Sequence, residues 1–300
     1  MRIPKVQTIV KQLLVYQALW AMDRLTSPEA SVAEKFDQVR AAGFDGMAID
    51  LGALSMQEAH ATIPHFARTG LAGGLTAFPS SVAALKPALE LAQRISAPFV
   101  VVIGQDMPVR LSEMIPLIEG WLRVAEAAHM PIQFETHRNC ITNDLFTTIQ
   151  LLDAVPSMRL AADLSHYVVD REMPCPPTPQ LQGLISRVLE RSDSFQGRVA
   201  ARGQIQIALD FPQNQRWVAL FHEWWRQGFS AWKTRHATSN ANLVFLCELG
   251  PPDYAITNAD GRELSDRWSE ALTLAKWARE TWNALNDPAC AGAPRAAKSP

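Results

Sequence analysis

Eight short apolar runs, each followed by a longer amphipathic stretch, divide this 300-residue chain from one end to the other. The runs are Leu13–Leu19, Phe44–Leu51, Leu71–Phe78, Pro98–Ile103, Ile132–Thr136, Met158–Asp163, Phe195–Ala200 and Leu243–Glu248. The fourth is a bare Pro-Phe-Val-Val-Val-Ile, the pattern of a strand buried on both faces of a parallel sheet. Strands alternating with helices give such a sheet, because each helix is the crossover that returns the chain to the same end. Eight repeats is the number that closes the sheet, and a closed barrel takes about 250 residues. An open, doubly wound sheet is the alternative, but no Gly-x-Gly-x-x-Gly turn follows the first run. The expected architecture is a single-domain α/β fold, a (β/α)8 barrel over residues 1–287. A small, polar tail at 288–300 is expected to be disordered.

Local signals fit the alternation. Ser27-Pro28-Glu29 offers a capping serine, a first-turn proline and an early acid. Gly43 ends that helix, and Ser55 with Glu58 has the spacing of a capping box. Further helices are expected from near Ser80, over 111–129, over 143–154 starting at Asn143-Asp144, and over 178–191, 214–235 and 265–285. The proline-rich 173–179 segment reads as a loop over one end of the barrel. Trp217, Trp224, Trp225 and Trp232 recur near helical spacing, which marks a packed helix face.

Composition removes several classes of function. Hydrophobic residues make up 48% and charged residues 19%, ordinary for a large soluble core. The 28 basic residues nearly balance 30 acidic ones, so no electrostatic footprint for nucleic acid or an anionic membrane is present. Cys140, Cys175, Cys247 and Cys290 are scattered without finger-like spacing, which suits free thiols in a reducing compartment. The apolar amino-terminal stretch contains Gln17 and runs into Asp23-Arg24, where a signal peptide needs small residues. No stretch has the roughly 18 uninterrupted apolar residues of a membrane span. A cytoplasmic protein acting on a small molecule is expected, with the tryptophan-rich seventh helix offering a surface for homo-oligomerisation.

Polar residues gather where the later apolar runs end. The fifth closes in Glu135-Thr136-His137-Arg138, the sixth in Asp163-Leu164-Ser165-His166, and the eighth in Cys247-Glu248. A carboxylate at an apolar strand end is costly to desolvate alone, and each could pair with an arginine or cap a helix. In a barrel, however, these ends converge on one mouth. Glu135, Asp163 and Glu248 would then repel one another unless a cation sat among them. Oxygen donors with an imidazole suit magnesium or manganese. His137 and His166 share this location, unlike the other histidines. Arg138 and Arg198 either hold an anionic substrate or neutralise the carboxylates.

The motifs Tyr16-Gln-Ala-Leu-Trp-Ala-Met22, Gly43-Phe-Asp-Gly46, Glu135-Thr-His-Arg138 with Thr142-Asn-Asp144, Asp163-Leu-Ser-His166 and Glu248-Leu-Gly-Pro-Pro-Asp-Tyr254 carry a resemblance. The chain resembles the sugar phosphate isomerase/epimerase family, the xylose-isomerase-like TIM barrels, over about residues 12–285. The resemblance implies a divalent metal held by Glu135, Asp163 and Glu248, with His166 beside it in the substrate or ligand network. Members of this branch place a histidine on the seventh strand, where this chain has Gln196; Arg198 matches the branch's arginine. An amide oxygen can bind a hard cation but is a weaker, neutral donor. The cofactor expected is therefore manganese or magnesium, held by Glu135, Asp163, Gln196 and Glu248, or none if the amide does not suffice.

The function implied is a metal-assisted isomerase or epimerase of a sugar-like hydroxy-carbonyl compound, working through an enediolate. Glu135 and Glu248 would be the acid/base pair, while His137, His166 and Arg198 would orient the substrate. Two alternatives stand beside it: a dehydratase or lyase using the same enolate, and a metal-free binding or accessory barrel, which Gln196 favours.

Overall fold

Each strand pairs in parallel with the next, and the last pairs with the first. The computed structural model describes residues 11–26 and 28–287. Its strands are β1 (Leu13–Ala18), β2 (Gly46–Asp50), β3 (Ala72–Ala77), β4 (Val100–Val102), β5 (Ile132–Glu135), β6 (Leu160–Ala162), β7 (Ser192–Gly197) and β8 (Leu243–Cys247). They form a closed barrel in chain order. Closure is made by β1 against β8, in register from Leu13–Leu243 to Gln17–Cys247. The expected (β/α)8 barrel is the structure.

Alternation of side chains along each strand separates an inner from an outer core. The outer core lies between the strands and the surrounding helices. A smaller inner cluster holds Tyr16, Ala18, Ala48, Val244 and Leu246, with Leu14, Ala72 and Phe99 packed against it. Tyr16 can fill this interior because its partner on β2 is Gly46. A Cβ at Gly46 would stand 2.5 Å from the tyrosine ring.

The helices follow from their caps. Ser55 and Glu58 form the expected capping box at Met56–Ala61. Asp144 accepts from the N–H groups of Phe146 and Thr147 and opens Leu145–Ala154. The stretch expected from near Ser80 begins with a 3-10 turn, Ala83–Leu85, and continues as an α-helix over Lys86–Arg94. The four tryptophans of Gln215–Arg235 are all buried. Trp225 meets Phe245 of β8 edge-on at 5.2 Å. Among the described residues, no helix is long and apolar enough to cross a membrane. Cys140, Cys175 and Cys247 carry free thiols.

Two expectations are corrected. The first helix, Val32–Ala41, is capped by Ser31, whose side chain and Glu34 form a reciprocal capping box. Ser27 itself lies outside the described residues, as do Cys290 and the 288–300 tail. Strand β7 begins three residues before the apolar run, at Ser192. Its opening Ser-Asp-Ser is polar yet accommodated: Ser192 donates to the Val188 carbonyl at 2.8 Å and Ser194 to Gln133 at 2.5 Å. Asp193 takes Arg235 and His236 at 2.5 and 2.9 Å.

Candidate active site

Four strands deliver charge to the same mouth. Glu135 is the last residue of β5, and Asp163, Arg198 and Glu248 directly follow β6, β7 and β8. All four are buried, with between 0 and 6% of each residue exposed. One oxygen from each of the three carboxylates lies within 4.8 Å of the others. The convergence expected from their strand-end positions is therefore present.

Arg198 is the cation that partly reconciles them. Its Nη1 lies 3.2 Å from Asp163 Oδ2 and its Nη2 lies 3.5 Å from Glu248 Oε2. Its Nε donates to the Glu248 carbonyl at 2.9 Å. Tyr254 and Trp20 cover the guanidinium, with ring centroids 4.8 and 6.0 Å from Cζ. The two rings meet edge-on at 5.4 Å, joining the loops after β1 and β8. Of the two readings of Arg198, charge neutralisation is thus realised in the structure. Arg138 is only half-buried.

One arginine does not balance three carboxylates, and their proton affinities diverge accordingly. Burial, then Glu248 and Asp163, holds the Glu135 carboxyl well above the usual range. Burial pushes Glu248 up to about 8, although Arg198 opposes it. Asp163 is equally desolvated, but Arg198, His166 and Ser165 outweigh that penalty and keep its carboxyl below the ordinary range. Burial thus favours the protonated form of the two glutamates, whereas the neighbours of Asp163 favour its ionised form.

The histidines form a neutral pair beside this group. The rings of His137 and His166 lie 3.9 Å apart, centroid to centroid. Burial, with His166 adding to it, lowers His137 to about 3. His166 is also lowered by burial, against the pull of Asp163. His137 Nδ1 contacts the Arg138 carbonyl, which only accepts, so this nitrogen carries the proton and Nε2 keeps a lone pair. Nε2 of His166 lies 3.4 Å from Asp163 Oδ2 without hydrogen-bond alignment.

Gln196 points inward one layer below. It lines a cavity of about 20 Å³ with Tyr16, Ala48, Thr76 and Leu246, enough for about one water. Its Oε1 is buried without a hydrogen-bond partner, as are Glu135 Oε2, Asp163 Oδ2, Glu248 Oε2 and both nitrogens of His166. Native proteins rarely leave such atoms unserved. The three converging carboxylate oxygens fit a cation, since with all three ionised one arginine leaves an excess negative charge that one divalent ion would cancel; Gln196 lines the cavity below them.

Three residues of the mouth were not picked out as site residues in the sequence. Asp50, the last residue of β2, accepts at Oδ1 from the N–H groups of Gly52 and Ala53 at 2.6 and 3.2 Å. Burial raises it to about 6. The strand-end criterion that selected Glu135 and Glu248, applied to the second apolar run, selects Asp50 as well. Trp20 and Tyr254 lie within the quoted motifs, but only folding puts them over Arg198.

No protein-family model matches the sequence, and no curated protein does. Solved structures do resemble it. An L-ribulose 3-epimerase aligns with TM-score 0.57 and 13% identity, over 96% of this chain and 99% of its own. A xylose isomerase-like TIM barrel protein from Mycobacterium smegmatis, in complex with magnesium, aligns with TM-score 0.55 and 15% identity, over 90% and 97%. A probable 3-DHS dehydratase from Bacillus anthracis aligns with TM-score 0.50 and 13% identity, over 93% and 100%. At such identities the likeness is one of fold: this chain is a (β/α)8 barrel, as these proteins are by their likeness to it.

Proposed function

We propose that the chain is an isomerase or epimerase of a sugar-like hydroxy-carbonyl compound, acting through an enediolate with Glu135 and Glu248 as acid and base. The observation that carries this reading is the meeting of three buried carboxylates at one mouth, with a single arginine facing Asp163 and Glu248. An epimerase among the solved structures of this fold supports the substrate class.

Glu135, Asp163, Gln196 and Glu248 would hold a divalent ion, magnesium or manganese. Bound there, such an ion would polarise the substrate carbonyl and favour the ionised forms of the glutamates. One glutamate takes the proton from the carbon beside the carbonyl, and the other returns one to the reacting atoms. Arg198 and the neutral His137 and His166 orient substrate oxygens. Trp20 and Tyr254 keep water from the guanidinium, which strengthens its pull on nearby negative charge.

Elimination from the same enolate is the second reading, favoured by the dehydratase of like fold. A barrel that binds without catalysis is the third, favoured by Arg198 already bridging Asp163 and Glu248. Incubation in D2O with a panel of ketoses and added manganese or magnesium separates the three. Isomerisation gives deuterium at the carbon beside the carbonyl and a product otherwise unchanged in mass. Loss of water from the product mass means elimination, and no exchange with any ketose defeats both enzymatic readings.

A further inference from the structure

We propose that Glu135, His137 and His166 form a nitrogen-rich cation site that takes a transition-metal ion such as zinc or cobalt, beside the carboxylate group and sharing Glu135 with it. One donor atom from each of the three lies within 4.8 Å of the others. Two of them keep unpartnered atoms, with His166 Nε2 standing 3.4 Å from Asp163 Oδ2. Asp163 and Glu248 already face Arg198 at 3.2 and 3.5 Å. Glu135 Oε2 and both ring nitrogens of His166 are buried without a hydrogen-bond partner. Glu135 is 1% exposed and His166 fully buried.

The second observation is the state of His137. Its Nδ1 hydrogen is spent on the Arg138 carbonyl, which leaves Nε2 as a bare lone pair with the ring held in orientation. A backbone carbonyl behind the remote nitrogen is how metal-ligating histidines are usually supported. His166 lies against it at a centroid distance of 3.9 Å, and each imidazole offers a nitrogen within 4.8 Å of a Glu135 oxygen. Two nitrogens and one carboxylate select zinc- or cobalt-like ions over magnesium, which prefers oxygen and keeps its water. In a tetrahedral site with bonds of about 2.1 Å the donors lie about 3.4 Å apart. Closing a pair from 4.8 Å therefore takes movement of about 1.4 Å, shared between the two side chains. Three protein donors also leave a coordination position open to water or a substrate oxygen.

The inference goes beyond the sugar reading and does not depend on it, since the test reads metal coordination and not turnover. Protein without a histidine tag, stripped by chelator, is titrated with cobalt(II) while visible absorption is recorded. Magnesium affinity is measured in parallel by calorimetry. One cobalt per chain should bind with the absorption of a nitrogen-ligated ion. His137→Ala and His166→Gln should each weaken cobalt binding at least about tenfold, the scale on which even a ligand's supporting partner matters. Their magnesium affinity should change by less than about twofold, whereas Asp163→Asn should lower magnesium affinity and leave the cobalt spectrum in place. Circular dichroism checks folding, and the half-exposed His137 carries the test if the His166 variant does not fold. Cobalt affinity unchanged in both histidine variants overturns the proposal. So does loss of cobalt binding in Asp163→Asn alone, or an equal fall in both metals with His137→Ala, which would mean a single common site.

Discussion

The two ends of the barrel interior solve opposite problems. At the lower end Leu14, Tyr16, Ala72, Phe99 and Val244 fill the space with apolar surface, and Tyr16 is admitted by the missing side chain of Gly46. At the upper end Glu135, Asp163, Arg198 and Glu248 are just as buried, yet several of their oxygens lack hydrogen-bond partners. One end lowers the free energy of the fold by removing apolar area from water. The other raises it, since desolvated carboxylates at close quarters oppose folding. The cost of the upper end is tolerable because the lower end and the far larger outer core bury so much apolar surface.

Substitutions at the two ends should therefore fail differently. Glu135→Gln and Glu248→Gln should lower solvent deuterium exchange into substrate by about 10²–10⁴-fold, with thermal unfolding no earlier than in the parent. Retained exchange would remove these residues from the acid/base role, and an early melt would make the upper end structural. Leu246→Ala, in the inner cluster, should destabilise by about 2–5 kcal/mol in denaturant unfolding. Its activity per folded molecule should survive; a selective loss of activity would erase the distinction between the ends.

The smallest expected effect is a slope. Glu248 holds its proton up to about 8 in the folded chain, against an ordinary value of 4.5. Between those values the native state binds more protons than the unfolded one, so metal-free stability should fall as pH rises. One such group contributes up to about 1.4 kcal/mol per pH unit. Asp163 acts in the opposite sense and loses its contribution only as pH falls through and below the ordinary 3.8. Urea unfolding at pH 5, 6 and 7 measures the slope, and Glu248→Gln should flatten it. A metal-free protein more stable at pH 7 than at pH 5 would contradict the assignment.

The sequence displayed the barrel because β4 and β8 are apolar throughout, and burial on both faces leaves no other pattern. It misplaced β7 because Ser192, Asp193 and Ser194 obtain partners from Val188, Arg235 and Gln133, which are distant in the chain or on another element. The start of the first helix was read at Ser27, four residues before the serine that caps it. Ser31 alone has a glutamate three residues on, and the capping box forms there. Glu135, Asp163 and Glu248 were legible because strand ends in a closed barrel must converge. The contact between His137 and His166, the cover of Trp20 and Tyr254 over Arg198, and the cation shortage they surround are products of folding that spacing does not encode.

Asp163 divides its carboxylate between two tasks. Oδ1 accepts from the backbone N–H of Ser165 at 2.9 Å and from its hydroxyl at 2.5 Å, capping the helix Leu164–Asp170, while Oδ2 faces the mouth. The helix so anchored carries His166 and Tyr167, and Tyr167 donates to Thr148 at 2.6 Å on the neighbouring helix. Whatever binds at Oδ2 pulls on the same rigid carboxylate that starts this helix. One carboxylate thus joins the mouth of the barrel to the start of a wall helix about two turns long, so removing it should disturb both.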